Sequence, residues 1–220
     1  MIKILKQLAL IIVLSVTAKL SASTTYAPDF PNISVPSNLV FSFNQEFRGK
    51  EPLGFFYQHS DIQAKYLFGD YIDIFTDYRL IFQEKTVKAG FKDQSMFLEG
   101  FDLKSSDTQY GKISLRSRLE IGLNPYPTPT SYQLNEFPKY NLPWKFTKFQ
   151  FNPFVADEMF FDCRNNLDFD KNRVYLGIDW QISKRIKCST YYFRESVQPS
   201  STKGRWTQAD VIDQSITFVF

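Results

Sequence analysis

Apolar and polar residues alternate along most of this chain. The cleanest case is 111–121, where Ile113, Leu115, Leu119 and Ile121 oppose Lys112, Ser114, Arg116, Arg118 and Glu120. A period of two puts successive side chains on opposite faces of a strand. In 38–48, Phe41, Phe43 and Phe47 oppose Ser42, Asn44, Glu46 and Arg48. In 55–67, Ile62, Ala64 and Tyr66 oppose His59, Asp61, Gln63 and Lys65. In 71–83, Ile72, Ile74, Leu80 and Phe82 oppose Asp73, Asp77 and Arg79. In 172–182, five apolar residues from Val174 to Ile182 oppose Arg173, Tyr175, Asp179 and Gln181. The last stretch, DVIDQSITFVF, sets Ile212, Ile216, Phe218 and Phe220 against Asp213, Ser215 and Thr217, with Gln214 breaking the apolar side. Less regular strands are read at 91–104, 132–144, 148–162 and 186–195. No helical period is sustained.

The pattern predicts an all-β chain: a single antiparallel up-and-down barrel of ten strands over 38–220, closed by its first and last strands. Eight or twelve strands are the alternative counts. Alternation alone does not say which face is inside. A soluble periplasmic lipocalin-like binding barrel turns its apolar faces inward, whereas a transmembrane barrel turns them to lipid and lines its lumen with the polar faces. Three features favour the transmembrane form. The strands run to about 11 residues, longer than the roughly 5–6 usual in globular proteins and near the span of a tilted membrane strand. Connections are short at 68–70 and 183–185 and longer at 84–90, 122–131, 163–171 and 196–209. The chain closes on an aromatic, resembling the C-terminal signal (Ile212, Ile216, Phe218, Phe220) that the outer-membrane barrel assembly machinery reads.

The beginning of the chain changes the picture of charge. Lys3 and Lys6 precede an apolar run from Leu8 to Ala18, followed by small residues in KLSAS. This is the three-part form of a secretory signal peptide, read as 1–22. A proline-containing lead-in, 23–37, would follow it. Residues 1–22 hold Lys3, Lys6 and Lys19 and no acid, so 23 of the 26 basic residues remain against 23 acidic ones. A neutral mature chain gives no reason to expect nucleic acid. Aromatic residues make up 17% of the chain, with 23 Phe and 12 Tyr, yet mean hydropathy is negative. That mixture suits a barrel that meets lipid outside and water inside.

With the apolar faces outward, the lumen would be lined by Glu46, Arg48, His59, Asp61, Lys65, Asp73, Asp77, Arg79, Lys112, Arg116, Arg118, Glu120, Lys148, Glu158, Arg173 and Asp179. Both signs are present, so the simplest expectation is a narrow lumen plugged by ion pairs, structural or at most a narrow channel. His59 is the only histidine. Near the extracellular rim, with Asp61 or Glu158 beside it, it could act as a general base, the enzymatic alternative. Asp157 falls among apolar neighbours, and a bulge or a position at the outer rim is expected there. Trp144, Trp180 and Tyr192 read as an interfacial aromatic girdle. Cys163 and Cys188 fall on non-adjacent strands and are expected as free thiols. No metal spacing is present, and no cofactor is expected. The expected partners are outer-membrane lipid and the assembly machinery, with the barrel a monomer in a Gram-negative outer membrane.

The stretch LPWKFTKFQFNPFVADEMFFD, 142–162, resembles a family of bacterial outer-membrane barrels known as domain of unknown function 2490. DKNRVYLGIDWQISKRIK (170–187), FYQHSDIQAKY (56–66), DYIDIFTDYRLIF (70–82) and GKISLRSRLEI (111–121) extend the likeness over most of the mature chain. It departs at 91–104 and at FPKY (137–140), where members of the family tend to carry an arginine-rich run. The resemblance implies a barrel and an outer-membrane location, and no activity.

Overall fold

The computed structural model describes residues 38–50, 54–84, 91–123, 131–164, 167–198 and 206–220. The expected signal peptide and lead-in lie outside the described residues. Ten strands follow one another: β1 (Leu39–Lys50), β2 (Gly54–Phe68), β3 (Ile72–Glu84), β4 (Phe91–Lys104), β5 (Lys112–Leu123), β6 (Ser131–Asn141), β7 (Asn152–Asp162), β8 (Asp168–Ser183), β9 (Ile186–Val197) and β10 (Thr207–Val219). Each pairs antiparallel with its sequence neighbours, and β1 pairs with β10, so the sheet closes into an up-and-down barrel. Closure leaves no unpaired strand edge.

One end of the barrel, here the lower, holds the start of β1, the finish of β10 and the connections 69–71, 105–111, 142–151 and 184–185. Gly69, at φ 77°, supplies the left-handed residue that the first of these turns needs. The expected contrast of short lower and long upper connections is only partial. The lower connection 142–151 is not a simple turn: Phe146 and Phe151 pair as a small antiparallel bridge. For the same reason β6 stops at Asn141 and β7 starts at Asn152, so the predicted strands 132–144 and 148–162 are each shorter at this end. β8 begins earlier than predicted, because 168–170 extend its pairing with β7 past a bulge at Phe160/Phe161.

The polarity of the wall is the reverse of a globular protein's. Along β3, Asp73, Phe75, Asp77, Arg79 and Ile81 are buried, while the alternate residues from Ile72 to Phe82 are exposed. Asp73 is 3% exposed and Asp213 0%, against 55% for Ile74 and 62% for Leu176. β-branched and aromatic residues favour strands on either face, and here they crowd the outer one.

An apolar cluster also lies inside. It contains Phe56, Tyr57, Ile81, Phe154, Ala156, Tyr175, Phe193 and Val211, with Met96, Phe137 and Tyr191 packed against it. Phe56, Ile81, Phe193 and Val211 come from the upper halves of their strands, so the cluster fills the lumen from the middle upward. Gly177 makes room for it: a methyl group there would meet Phe154 Cζ at 2.6 Å and Tyr191 Cβ at 2.5 Å.

Candidate functional site in the barrel interior

Cross-strand register arranges the interior charges. Arg79 and Asp61 are register partners on β3 and β2, and the guanidinium grips the carboxylate with two bonds of 2.7 and 3.0 Å. Arg116 and Asp102 are partners on β5 and β4, bridged at 2.7 and 3.1 Å. Arg48 and Asp213 are partners across the β1–β10 seam. Two parallel N–H···O bonds to one carboxylate fix geometry as well as charge. Pairing of this kind offsets the cost of burying these charges, although Asp213 Oδ1 and Asp77 Oδ1 have no hydrogen-bond partner among the described residues.

Glu158 is a second centre. It accepts bonds from Arg118 at 3.0 Å, Asn135 at 2.9 Å and Arg173 at 3.2 Å, and from the Tyr175 hydroxyl. Arg173 also holds Glu195 at 2.7 Å, and Arg118 holds Glu120 at 2.7 Å. Lower down, Lys65 joins Asp102 at 2.6 Å, Lys104 joins Asp73 at 2.7 Å and Lys139 joins Asp179 at 2.6 Å.

His59 is 1% exposed. Its Nε2 lies 3.2 Å from Asp61 Oδ2, and its Nδ1 lies 3.0 Å from the Tyr57 hydroxyl and 3.5 Å from Glu46 Oε1. Tyr57, next on the same face toward the upper end, belongs to the apolar cluster. The side chain is therefore inside the wall and not at the rim, which corrects the expected placement. Asp61 is brought to His59. Glu158 belongs to the separate arginine-rich centre and has no hydrogen bond or ion pair to His59 among the described residues.

The other predicted lining residues fall on inward positions, with one exception. Lys148 sits in the exposed 142–151 connection, its Nζ 5.2 Å from the Phe149 ring centroid. The expected strand starts four residues too early there, because the small bridge between Phe146 and Phe151 precedes β7. Asp157 is also corrected. It is neither in the bulge nor at the rim: it points outward from the middle of β7, between Val155 and Met159, and Asn172 donates to it. Glu136 on β6 sits outward in the same way, held by Ser117 at 2.6 Å. Trp180 packs outside against Phe151 at 5.8 Å, Tyr192 bonds Asp210, and Trp144 is beyond the strand ends in the 142–151 connection. Cys163 and Cys188 are both free thiols.

Several interior residues escaped the sequence reading. Asp102, Lys104 and Asn135 lie on strands whose alternation is blurred. Tyr175 stands on the polar face that alternation gives 172–182, while Tyr191 and Phe193 lie on β9, where no clean alternation marks the inward side. Asp213 was legible as opposite to Ile212 and Ile216, and its partner Arg48 is the signal that would have singled it out.

The interior holds a half-open cavity of about 740 Å³, bordered by Phe154, Tyr175 and Tyr191 of the aromatic cluster and reaching to the lower end of the barrel. A second space of about 420 Å³ adjoins it at the lower mouth. The 142–151 connection leans over this mouth, with the Gln181 backbone N–H donating to Phe149 O at 2.9 Å and Lys145 paired to Asp107 at 2.6 Å. The bond from Lys145 holds the exposed Asp107 carboxyl below its ordinary pKa. Among the described residues, no group of three or more His, Cys, Asp or Glu side chains is arranged to hold a metal ion.

A closed ten-stranded barrel with a charged interior, an internal aromatic cluster and an exposed apolar outer wall defines the class of this protein. The family model described as "Protein of unknown function (DUF2490)" matches residues 24–206, and the chain belongs to that family. No curated protein matches the chain.

Proposed function

We propose that the protein is a transmembrane barrel of the bacterial outer membrane, with a lumen plugged rather than conducting. The observation that carries this reading is the inverted wall: large apolar side chains such as Ile62, Ile74, Ile113, Val174 and Leu176 stand exposed while, among the described residues, twelve polar or charged ones are buried. A contiguous apolar surface of that kind in water is an aggregation hazard, and in lipid it is the stable arrangement. The leader-like pattern of 1–22 fits export, and the apolar alternation of β10 through Phe220 fits recognition by the assembly machinery. The role is structural and not enzymatic. Burial of His59 between Tyr57, Asp61 and Glu46 supports that, since a general base has to reach its substrate.

Planar-bilayer recording of the purified, folded chain tests the plug. No single-channel steps are expected. Steps in the native chain would overturn the plugged reading and favour a narrow channel. Steps that emerge only when Phe193→Ala and Tyr175→Ala open the cluster would identify it as the plug.

A further inference from the structure

The strongest unexplained feature is an excess of cations at the lower mouth. Arg116, Lys139 and Lys187 border both the larger and the smaller cavity. Lys112 adds to the lining of the first and Lys145 to that of the second. Arg116 is matched by Asp102, Lys139 by Asp179 and Lys145 by Asp107. Neither Lys187 nor Lys112 has an ion-pair partner among the described residues. Positive charge therefore exceeds negative charge around a half-open space at this mouth, which makes the local potential favourable to an anion.

One neutral group there suits an oxyanion as well. Gln181 lines the smaller space, and a side-chain amide donates to phosphate oxygens, while Arg and Lys supply charge-assisted bonds. The hydroxyls of Ser189 and Thr217, which line both spaces, already donate to Asp179 at 2.7 Å and to Asn44 at 2.9 Å. The outer wall of the smaller space is the 142–151 connection. Asn152 pins that connection by donating to Leu142 O at 2.6 Å and to Trp144 O at 3.0 Å. Both volumes fall in the roughly 300–1,000 Å³ range of small-molecule sites.

We infer that the junction of the two cavities binds a small phosphate-bearing molecule, with Lys187, Arg116 and Lys139 on the phosphate and the larger cavity taking the rest. The ligand enters from the lower mouth, because the apolar cluster fills the lumen above. This inference rests on the barrel interior and does not require the wall to face lipid.

Titration calorimetry on the purified full chain tests it, with inorganic phosphate, glucose 6-phosphate and glucose as probes. Saturable binding of both phosphates and none of glucose is expected. Lys187→Gln should weaken phosphate binding about tenfold, the equivalent of 1.4 kcal/mol. Lys112→Gln should weaken glucose 6-phosphate more than phosphate. Lys184→Gln, on the exposed turn outside both cavities, should change neither. Absence of saturable phosphate binding, equal binding of glucose, or full binding in Lys187→Gln would overturn the inference. A detergent-free soluble barrel that binds phosphate would sink the membrane reading and leave this one standing. An outer-membrane barrel that ignores phosphate would do the reverse.

Discussion

Arg48 on β1 and Asp213 on β10, 165 residues apart, face each other across the seam that closes the barrel, Nε 2.9 Å from Oδ2. The same guanidinium bonds Glu46 at 2.7 Å and lies 4.3 Å from the centroid of the Tyr57 ring. Replacing Arg48 by Met would leave two buried carboxylates without their cation. A loss of about 3–5 kcal/mol is expected, as for breaking other buried pairs. Urea unfolding of the barrel in micelles measures it. A loss below about 1 kcal/mol would mean that the pair does not hold the seam.

Leu176 is the sharpest probe of what the outer wall meets. It stands mid-strand on β8 and is 62% exposed. In a lipid-facing wall, Leu176→Arg should cost about 2–4 kcal/mol, as measured near a bilayer midplane. On a water-facing surface the same change should fall within about 0.5 kcal/mol of neutral. Comparing the refolding equilibrium of the two chains in bilayers separates these outcomes.

Gly177 is predicted to tolerate no side chain. Alanine there would press on the Phe154 ring and on Tyr191 at once. A cost of about 1–3 kcal/mol is expected from overpacking, read as a lower urea midpoint. An unchanged midpoint would show that the cluster is loosely packed around β8.

The faces of β1, β3, β5, β8 and β10 are readable because charge and hydrocarbon alternate there with few interruptions, such as Gln45, Ser117 and Gln214. Ile72 to Phe82 against Asp73 to Arg79 needs only the two-residue period. β4 is not, since inward Leu98 and Gly100 break the polar lining while outward Glu99 breaks the apolar one. The pairing of charges was hidden for another reason. That Arg116 meets Asp102, or Arg48 meets Asp213, depends on register between strands, which the alternation within one strand does not contain. Lys148 and Trp144 were misplaced because the Phe146–Phe151 bridge imitates strand alternation in a connection. The excess charge at the lower mouth, Lys187 and Lys112 with Lys139, emerges only when β9 is brought around one cavity with the paired β5 and β6.

The turn pair at the lower mouth predicts a local pH effect. Lys145 lowers the Asp107 pKa, so this contact contributes above the ordinary Asp pKa and is lost as pH falls through the depressed value. Lys145→Ala should return the Asp107 carboxyl upward toward an ordinary Asp, seen by NMR titration of its carboxyl carbon. Both side chains are solvent-exposed, so global stability should change little. No movement of the Asp107 titration would mean that the 105–111 and 142–151 connections are not clamped together.

Fractionation of the full chain from a Gram-negative host, with heated and unheated gels, tests the inverted barrel most directly. A lipid-facing wall predicts recovery in the outer-membrane fraction, extraction only by detergent, and a folded band that shifts its migration on heating. A monomer recovered from the periplasm without detergent would contradict it, and would make the exposed Ile74, Val174 and Leu176 a surface that water tolerates.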